Sequence, residues 1–463
     1  MTQTASTTPP ATSAAPTTAS ALTMRPGRWI DGWDAENDEQ WRSEGRAIAR
    51  RNLNWSIFAE FLGFVVWQLW SIVAVSLPAA GFDLTTGEIF WLISIPSLVG
   101  ATLRIPYSFL VPKFGGRNWT IISAGLLLAP TIAMVLCVGN PETPFPVLLG
   151  AAALAGFGGG NFASSMSNIT FFYPQREKGW ALGLNAAGGN LGASVAQFVV
   201  PIVITIGAGA TLNLPVAGWI WIPFILVAML GAARYMNNLS NAKADFSGSA
   251  AALKEPHLWL LSLLYIGTFG SFIGFASVFP KLIADQFPEF SGIAVGGASV
   301  SLAFLGALVG SLARPYGGRL SDRFGGARIT MLAFASMAVV TVAVLLTLPL
   351  GNFWLFLGLF LVLFASAGIG NGSTYRMVPI VFALRGGGTG DVSTQRKSAA
   401  ALGLISAIGA YGGFLIPQAL NLSFQSTGTY GAAFVGFIAA YVLLLVLTWA
   451  VYVRSGKLGA HLI

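Results

Sequence analysis

The sequence has little charge, little histidine and almost no cysteine. Only 9% of its 463 residues are charged, whereas 55% are hydrophobic. A soluble protein carries about a quarter of its residues as charges, so this composition excludes a soluble globular chain. The single cysteine, Cys137, cannot form an intramolecular disulfide, and the two histidines, His257 and His461, form no cluster. We therefore expect no metal site and no cofactor.

The first 50 residues lack the features of a signal peptide. Residues 1–23 consist mainly of Thr, Ala, Ser and Pro, without charge or a continuous apolar core. This composition predicts disorder and excludes a secretory signal. Residues 25–51 are charged and contain tryptophan, and we expect a short amphipathic helix on the membrane surface there. Residues 1–50 are thus expected to form a cytoplasmic tail.

Long apolar runs dominate the rest of the chain. Each is about 20 residues or longer, which is enough for a helix to cross the hydrocarbon core of a bilayer. Runs of this length favour helices over barrel strands. Hydropathy predicts twelve spans, at residues 55–77, 89–110, 119–138, 147–172, 179–206, 219–235, 258–279, 293–315, 329–348, 353–382, 399–424 and 432–453. The sequence thus predicts an all-α membrane protein with twelve transmembrane helices.

Charged residues are sorted between the two sides of these spans. One set of loops, with the N-terminal tail, contains almost all lysines and arginines. The other set contains five acids and one lysine, namely Asp83, Glu88, Glu142, Asp285, Glu289 and Lys281. The positive-inside rule therefore places both termini in the cytoplasm. The net charge of +8 lies in these short loops, so it indicates topology rather than nucleic-acid binding.

The two halves of the chain resemble each other. Arg104 and Arg314 are 210 residues apart, and each is followed ten residues later by Phe-Gly-Gly. Asn161 and Asn371 are also 210 residues apart, each in a Gly-rich span. Such duplicated folds place the substrate between the halves near the midplane of the membrane.

The repeat defines the expected domain organisation. We expect a six-helix half at residues 51–236, a cytoplasmic connection at residues 237–256 and a second, pseudo-symmetric six-helix half at residues 257–463. Rocking of one half against the other would then give alternating access to a central site.

Two arginines are the strongest chemical feature of the sequence. Arg104 and Arg314 each lie roughly two turns or more inside a span, where an arginine costs about 2.5–3.5 kcal/mol even on the gentlest scale. Glu60 is the main acid inside a span, and hydropathy places it near the cytoplasmic end of the first span. With no acid expected beside the arginines, their partner is expected to be a small anionic substrate. Two planar guanidinium groups suit a planar oxyanion.

The region at residues 156–192 combines glycines with amides. Its glycines occur in pairs four residues apart, which are Gly156 and Gly160, Gly179 and Gly183, and Gly188 and Gly192. This spacing predicts close contact between helix backbones. Four asparagines lie among the glycines: Asn161, Asn168, Asn185 and Asn190. Because an amide facing lipid is costly, we expect these side chains to face a partner helix or a wet cavity.

The loop at residues 318–326, Gly-x-x-x-Asp-Arg-x-Gly-Gly, resembles a fingerprint of the major facilitator superfamily. The resemblance implies a major facilitator fold in which this loop latches helices on the cytoplasmic side. Asp322 is then a gate contact or a helix cap, and Pro112 stands at its position in the first half. A third intramembrane cation, Arg376, is expected to extend to the cytoplasmic edge.

Three longer motifs are similar to the paired signatures of the nitrate/nitrite porter family within that superfamily. They read GGGNFASSMSNITFFYP from position 158, KGWALGLNAAGGNLG from position 178 and ALGLISAIGAYGGFLIPQ from position 401. The segment LLYIGTFGSFIGF around Tyr265 and both arginine helices also match. The resemblance covers essentially the whole chain after about residue 25, and is strongest to the bacterial respiratory nitrate–nitrite exchangers.

The resemblance implies a set of substrate-binding residues. They are the anion-binding Arg104 and Arg314, the signature Asn190, the aromatic clamp of Phe162 and Phe269, the hydrogen-bonding Tyr265, and the signature glycines Gly188, Gly189, Gly409 and Gly412. Some exchangers have a lysine where this chain has Gln418, which leaves the coupling mode open. The expected activity is nitrate/nitrite antiport by a rocker-switch mechanism in the inner membrane.

Several alternatives remain at this point. Proton-coupled nitrate symport and transport of another small inorganic anion are the nearest ones, and a channel or a membrane sensor is more distant. No nucleophile, acid pair or metal set indicates an enzyme. Exchange is favoured by an electrostatic argument, since an empty site with two arginines and no acid is costly to close. The expected partners are nitrate, nitrite and the lipid bilayer, with no nucleic acid, and the protein is expected to be monomeric.

Overall fold

The computed structural model describes residues 22–206, 212–242, 246–386 and 392–454. Twelve long helical segments form the body of this described part. They are α1 (Asp38–Ser76), α2 (Thr86–Phe114), α3 (Gly116–Val138), α4 (Phe145–Phe172), α5 (Gln175–Thr205), α6 (Val216–Tyr235), α7 (Pro256–Gln286), α8 (Phe304–Phe324), α9 (Gly326–Leu350), α10 (Phe353–Arg385), α11 (Lys397–Thr427) and α12 (Gly431–Arg454).

Eleven of these segments are long and apolar enough to cross a membrane, judged by length and composition over the described residues. The other, α8, is less apolar because it carries Arg314, Arg319, Asp322 and Arg323. It still packs within the bundle, against α10 and α5. The predicted all-α architecture of two six-helix halves is therefore confirmed.

Several helices contain local breaks. In α7 a π-helical turn, Ile266–Gly270, separates Pro256–Tyr265 from Ser271–Gln286. The other interrupted helices are α3 (Gly116–Leu126 and Leu128–Val138), α4 (Phe145–Leu154 and Gly156–Phe172), α6 (Val216–Trp219 and Ile222–Tyr235), α11 (broken between Ala410 and Gly412) and α12 (Gly431–Thr448 and Trp449–Arg454). Short pieces at Pro78–Ala80, Phe246–Leu253 and Pro288–Phe290 lie between long helices.

The helix contacts repeat between the two halves. In the first half α1 packs on α5 and α2 packs on α4, and in the second half α7 packs on α11 and α8 packs on α10. The halves meet through α2 with α11, α5 with α8, and α1 with α7. The interface between the halves therefore has the same pseudo-symmetry as the sequence repeat.

A small sheet connects the N-terminal segment to the end of α6. Strand β1 (Thr23–Arg25) pairs antiparallel with β2 (Trp29–Asp31), and β2 pairs parallel with β3 (Asn238–Leu239). The Ser240 hydroxyl donates a hydrogen bond to Asp31, and Arg25 forms an ion pair with the same carboxylate. Together these contacts hold the pKa of Asp31 below its ordinary value.

The first helix starts earlier than hydropathy predicts. It begins at Asp38, passes through a π-helical turn at Trp41–Gly45 and continues as Arg46–Ser76. The Trp41 side chain is buried against Tyr173, at the end of α4. The expected separate surface helix at residues 25–51 is therefore wrong, because tertiary contacts hold this segment on the first half.

A hairpin precedes α8, where the sequence predicts the start of a span at residue 293. Strands β4 (Ile293–Val295) and β5 (Ala298–Val300) pair antiparallel across Gly296 and Gly297. Both glycines have positive φ angles, of 56° and 82°, which a two-residue hairpin turn requires. The predicted disorder of residues 1–23 falls almost entirely outside the described residues, as does His461.

Candidate anion-binding site

Arg104 lies in α2 and joins three helices through its guanidinium group. The side chain is fully buried. Its Nε donates a hydrogen bond to the Gly159 carbonyl of α4 at 3.1 Å, and Nη1 donates to the Ser406 carbonyl of α11 at 2.9 Å. Its Nη2 has no hydrogen-bond partner among the described residues. The two carbonyls thus fix the guanidinium plane and leave one donor group available.

Arg314 occupies the equivalent place in α8. It is also buried, and its Nη2 donates to the Tyr265 hydroxyl of α7 at 3.3 Å. Its Nη1 is without a hydrogen-bond partner in the described part of the chain. Each arginine therefore presents one unpaired NH2 group inside the protein, which matches the two-fold repeat of the sequence.

Aromatic rings lie beside the two arginines. The centre of the Phe162 ring is 4.4 Å from Arg104 Cζ and 5.7 Å from Arg314 Cζ. The Phe269 ring lies 5.0 Å from Arg104 Cζ, and its centre is 6.3 Å from that of Phe162, with 25° between the planes. Tyr265 stacks on Phe269 at 5.3 Å. The structure thus brings together five predicted residues, namely the two arginines, the two phenylalanines of the clamp and Tyr265.

Two further aromatic residues belong to this cluster and were missed by sequence reasoning. The Trp67 ring lies 5.4 Å from Arg104 Cζ, and the Tyr375 ring lies 5.6 Å from Arg314 Cζ. Tyr375 also contacts Tyr265, with ring centres 5.6 Å apart. The available signal for Tyr375 was a tyrosine inside the Gly-rich tenth span. The place of Trp67 beside Arg104 depends on how α1 packs on α2, which the sequence does not show.

Glycines allow these helices to close around the cluster. A Cβ atom added to Gly100 in α2 would lie 2.8 Å from Trp67 Nε1, and one added to Gly159 in α4 would lie 2.8 Å from Trp67 Cε2. Any larger residue would displace the tryptophan ring. In α7 the π-helical turn follows Tyr265 directly and contains Phe269. Such turns locally re-aim side chains and are frequent at functional sites.

Unpaired amides add polar groups to the interior. Asn190 is fully buried, and neither of its amide atoms has a hydrogen-bond partner among the described residues. The same is true of the repeat-related pair Asn161 and Asn371. Asn168 and Asn185 are buried as well. The expectation that the asparagines face the protein interior is confirmed, and substrate binding by Asn190 stays a prediction.

The four signature glycines lie at helix–helix contacts. An added Cβ atom at each would overlap a neighbouring helix, at Ile57 for Gly188, Glu60 for Gly189, the Tyr265 ring for Gly409 and the Gly270 backbone for Gly412. These residues thus set the approach of α5 to α1 and of α11 to α7. Direct contact of the four glycines with substrate stays a prediction.

Gly179 and Gly183 differ from the other paired glycines. A Cβ atom added at either position would meet no heavy atom of the described chain within 4 Å. The expectation of tight packing is therefore wrong for this pair. Gly183 lies seven residues before Asn190 and so on the same face of α5. Along this face α5 is therefore open at Gly183 and buried at Asn190.

Glu60 lies near the middle of its helix rather than near an end of it. It is close to the centre of the segment Arg46–Ser76 and is 1% exposed. The carboxylate interacts electrostatically with both Arg104 and Arg314. The prediction of a site without an acid is therefore wrong, because hydropathy placed the start of α1 too late. The electrostatic argument for exchange built on that prediction has to include Glu60.

Arg376 forms an ion pair at the edge of the bundle. Its Nε lies 2.7 Å from Asp322 Oδ1, and the two side chains are 44% and 54% exposed. The expectation that Arg376 extends out of the apolar interior is confirmed. Because both residues belong to the second half, this contact of Asp322 does not join the two halves.

The two halves are held together at the end of the bundle opposite to the N-terminal segment. Side-chain hydrogen bonds cross the interface there between Gln68 and Ser277, between Gln418 and Ser94, and between Gln197 and the Ala276 carbonyl. Near the N-terminal end, Gly183 of α5 and Gly403 of α11 have no neighbouring heavy atom within 4 Å of an added Cβ among the described residues. The site is thus closed towards one end and lined by small residues towards the other.

Comparisons with known proteins agree with this architecture. The model of the Major Facilitator Superfamily matches residues 59–417. A solved structure of a bacterial homologue of the lysosomal transporter Spinster covers 88% of this chain and 97% of its own, with a TM-score of 0.63 and 16% identity. At that identity the likeness shows the fold alone. The chain is therefore a multi-pass membrane transporter of the Major Facilitator Superfamily.

Curated relatives define the family more narrowly. The nitrate/nitrite transporter NarU of Escherichia coli is 43% identical over 448 residues, which are 91% of this chain and 96% of that protein. The probable nitrate/nitrite antiporter NarK2 of Thermus thermophilus is 36% identical over 93% of this chain and 98% of its own. Within the superfamily, the chain belongs to the nitrate/nitrite porter family.

Proposed function

We propose that this protein exchanges nitrate for nitrite across the inner membrane and binds either anion between Arg104 and Arg314. One observation carries the proposal. Each of the two buried guanidinium groups has an NH2 group without a hydrogen-bond partner among the described residues. Two such groups on repeat-related helices supply converging donors for one small anion.

The chemistry of the site favours a planar oxyanion. A charge-assisted hydrogen bond to a guanidinium is roughly twice as strong as a neutral one, and a planar anion can accept several in one plane. The rings of Phe162 and Phe269 exclude water, which strengthens the attraction between the anion and both arginines. The Tyr265 hydroxyl, held by Arg314, and the unpaired amide of Asn190 are further polar groups for the substrate.

Alternating access follows from the two-half architecture. With the N-terminal segment in the cytoplasm, as the basic loops predict, the end closed by Gln68 and Ser277 faces the periplasm. The opposite end of the interface then faces the cytoplasm. Rocking of the halves breaks the Gln68–Ser277 contact and closes the small-residue surfaces of α5 and α11 on the other side. All elements of the site lie within one chain, which supports function as a monomer.

Exchange is the coupling mode that the family names support. One relative is named a probable nitrate/nitrite antiporter. An anion bound between the two buried cations compensates part of their charge and lowers the cost of closing the site around it. Substrate on both sides of the membrane then accelerates the cycle.

Uptake into proteoliposomes tests the proposal. We expect labelled nitrate to enter vesicles loaded with nitrite several times faster than vesicles loaded with chloride, at equal pH on both sides. Equal rates with nitrite, chloride or sulfate inside would contradict exchange. Labelled nitrate that neither binds nor enters under any of these conditions would overturn the assignment of the substrate as well.

A further inference from the structure

The carboxyl group of Glu60 is a buried titratable group that the exchange mechanism does not use. Its Oε2 accepts a hydrogen bond from Asn185 Nδ2 at 2.6 Å, whereas Oε1 has no partner among the described residues. No ion pair within 4.0 Å joins Glu60 to a cation of the described chain. A buried carboxyl without a contacting cation can exist either as a neutral acid or as a carboxylate, depending on the charges nearby.

The charged and titratable groups around Glu60 belong to the proposed anion site. Arg104 of α2, Arg314 of α8 and Tyr375 of α10 interact with it electrostatically. The helices packed directly against this part of α1 contribute groups that do not titrate, namely Ser165 and Asn161 of α4, Asn185 and Gly189 of α5, and Thr120 and Ser123 of α3. The charge of the two arginines is therefore balanced by ionised Glu60 and by any anion bound between them.

A polar path leads from Glu60 towards the N-terminal end of the bundle. Asn185 Nδ2 also donates to Ser165 Oγ at 2.6 Å, and Ser165 Oγ lies 2.9 Å from Ser56 Oγ. Asn52 lies one turn before Ser56 and is buried. A small polar cavity adjoins Glu60 and is lined by Ser56, Thr120, Ser123, Asn161, Ser164 and Ser165. Hydroxyl groups both donate and accept, so they can pass a proton when they reorient.

We propose that Glu60 is a proton-binding site coupled to the anion site, so that a proton and a nitrate or nitrite ion bind cooperatively. The inference rests on the proposed binding of the anion between Arg104 and Arg314. With Glu60 ionised, the two arginines and the carboxylate have a net charge of +1. Binding of one anion and one proton leaves that net charge unchanged, and no covalent bond is formed or broken.

This charge balance has a consequence for transport. The empty protein with ionised Glu60 and the loaded protein with protonated Glu60 bury the same net charge. Glu60 thus replaces the anion when the empty protein returns, and the cost of closing an empty site with two unpaired cations is removed. The same site can then exchange nitrate for nitrite with the proton retained, or take up nitrate together with a proton when no counter-anion is present.

Net uptake without a counter-anion tests the proposal. Proteoliposomes without internal nitrate or nitrite are given labelled nitrate and an inward proton gradient. We expect the unmodified protein to accumulate nitrate with matching proton uptake, and Glu60→Gln to lose this accumulation while exchange for nitrite persists. Glu142→Gln removes an exposed acid in the loop after α3 and serves as the matched control. Proton-driven accumulation by Glu60→Gln equal to that of the unmodified protein would overturn the proposal.

A binding measurement on the unmodified protein keeps the proposal testable if Glu60→Gln does not fold. Reciprocal coupling predicts that nitrate binds about tenfold more tightly at about pH 5 than at about pH 9, with proton uptake on binding. Nitrate binding that is independent of pH and releases or takes up no proton would contradict the role of Glu60 and leave the exchange proposal intact. A protein that neither binds nor exchanges nitrate would overturn both.

Discussion

At the residue scale, the site depends on the geometry of two guanidinium groups rather than on their charge alone. The Gly159 and Ser406 carbonyls hold Arg104 from two sides, and the Tyr265 hydroxyl holds Arg314 from one. These contacts use some of the N–H donors of each guanidinium group and leave the others for a ligand. Lysine has the same charge but only a single ammonium group on a flexible stem.

Substitution of either arginine by lysine tests this geometry. We expect Arg104→Lys and Arg314→Lys each to lose about 3 kcal/mol of anion binding, which is on the order of a hundredfold in affinity. Nitrate binding by titration and exchange in proteoliposomes are the measurements. Arg50→Lys, at an exposed position of α1, is the matched control. Near-normal exchange by either site variant at equal expression would show that the planar guanidinium group is not what recognises the anion.

The sequence allowed the place of the two arginines in the site to be predicted, but not that of Glu60. The arginines are visible as isolated charges at repeat-related places in apolar spans, so their meeting could be expected. Glu60 was visible too, and it follows Asn52 and Ser56 at intervals of four, which marks one helix face. Its place near the centre of α1 was misjudged because hydropathy detects only the apolar part of that helix. The polar first turns of that helix are stabilised by packing, which no window over the sequence reports.

At the element scale, small residues control how closely the helices approach. Gly412 of α11 faces Gly270 of α7 backbone to backbone, whereas Gly403 one helical segment earlier has open space at its Cβ position. Overpacking a tight contact costs typically 1–3 kcal/mol. The same glycine-to-leucine change thus has different consequences at two places in α11.

We expect Gly412→Leu to reduce the exchange rate several-fold more than it reduces nitrate affinity, because the side chain obstructs the contact of α11 with α7. Gly403→Leu, at the open position, is the control and is expected to leave the α7–α11 contact intact. Exchange rates in proteoliposomes are compared with affinities in detergent. The idea fails if Gly412→Leu loses binding while its two conformations still interconvert normally.

The N-terminal segment is a second element whose role depends on packing. Trp41 is 1% exposed, and its Nε1 donates to Glu177 Oε1 at 3.1 Å, which ties the start of α1 to the start of α5. We expect Trp41→Ala to lower the free energy of unfolding by about 3 kcal/mol, measured as a lower Tm in detergent. Trp180→Ala changes a ring that is 61% exposed and is expected to cost less than about 0.5 kcal/mol. Similar Tm values for both variants would show that the segment does not support the fold.

At the scale of the whole molecule, the sequence repeat predicted the architecture. The structure shows in addition which end of the interface between the two halves is closed. The offset of 210 residues between Arg104 and Arg314 correctly indicated two halves with equivalent packing. Which end of the interface is closed could not be predicted, since both conformations of a rocking protein have the same sequence. The crossing hydrogen bonds of Gln68, Gln197 and Gln418 locate the closed end.

A chemical crosslink at that end tests the rocking of the two halves. Gln68 Nε2 and Ser277 Oγ are 3.2 Å apart, and each residue belongs to a different half. In a Cys137→Ser background, we expect Gln68→Cys with Ser277→Cys to react with a short, cleavable bifunctional thiol reagent and to stop exchange, and cleavage of the reagent to restore it. The control pair, Gly183→Cys with Gly403→Cys, lies where the surfaces are open and is expected not to link in this conformation. Full exchange activity in the linked Gln68–Ser277 variant would mean that this end never opens, and a rocker-switch cycle requires it to open once in every exchange.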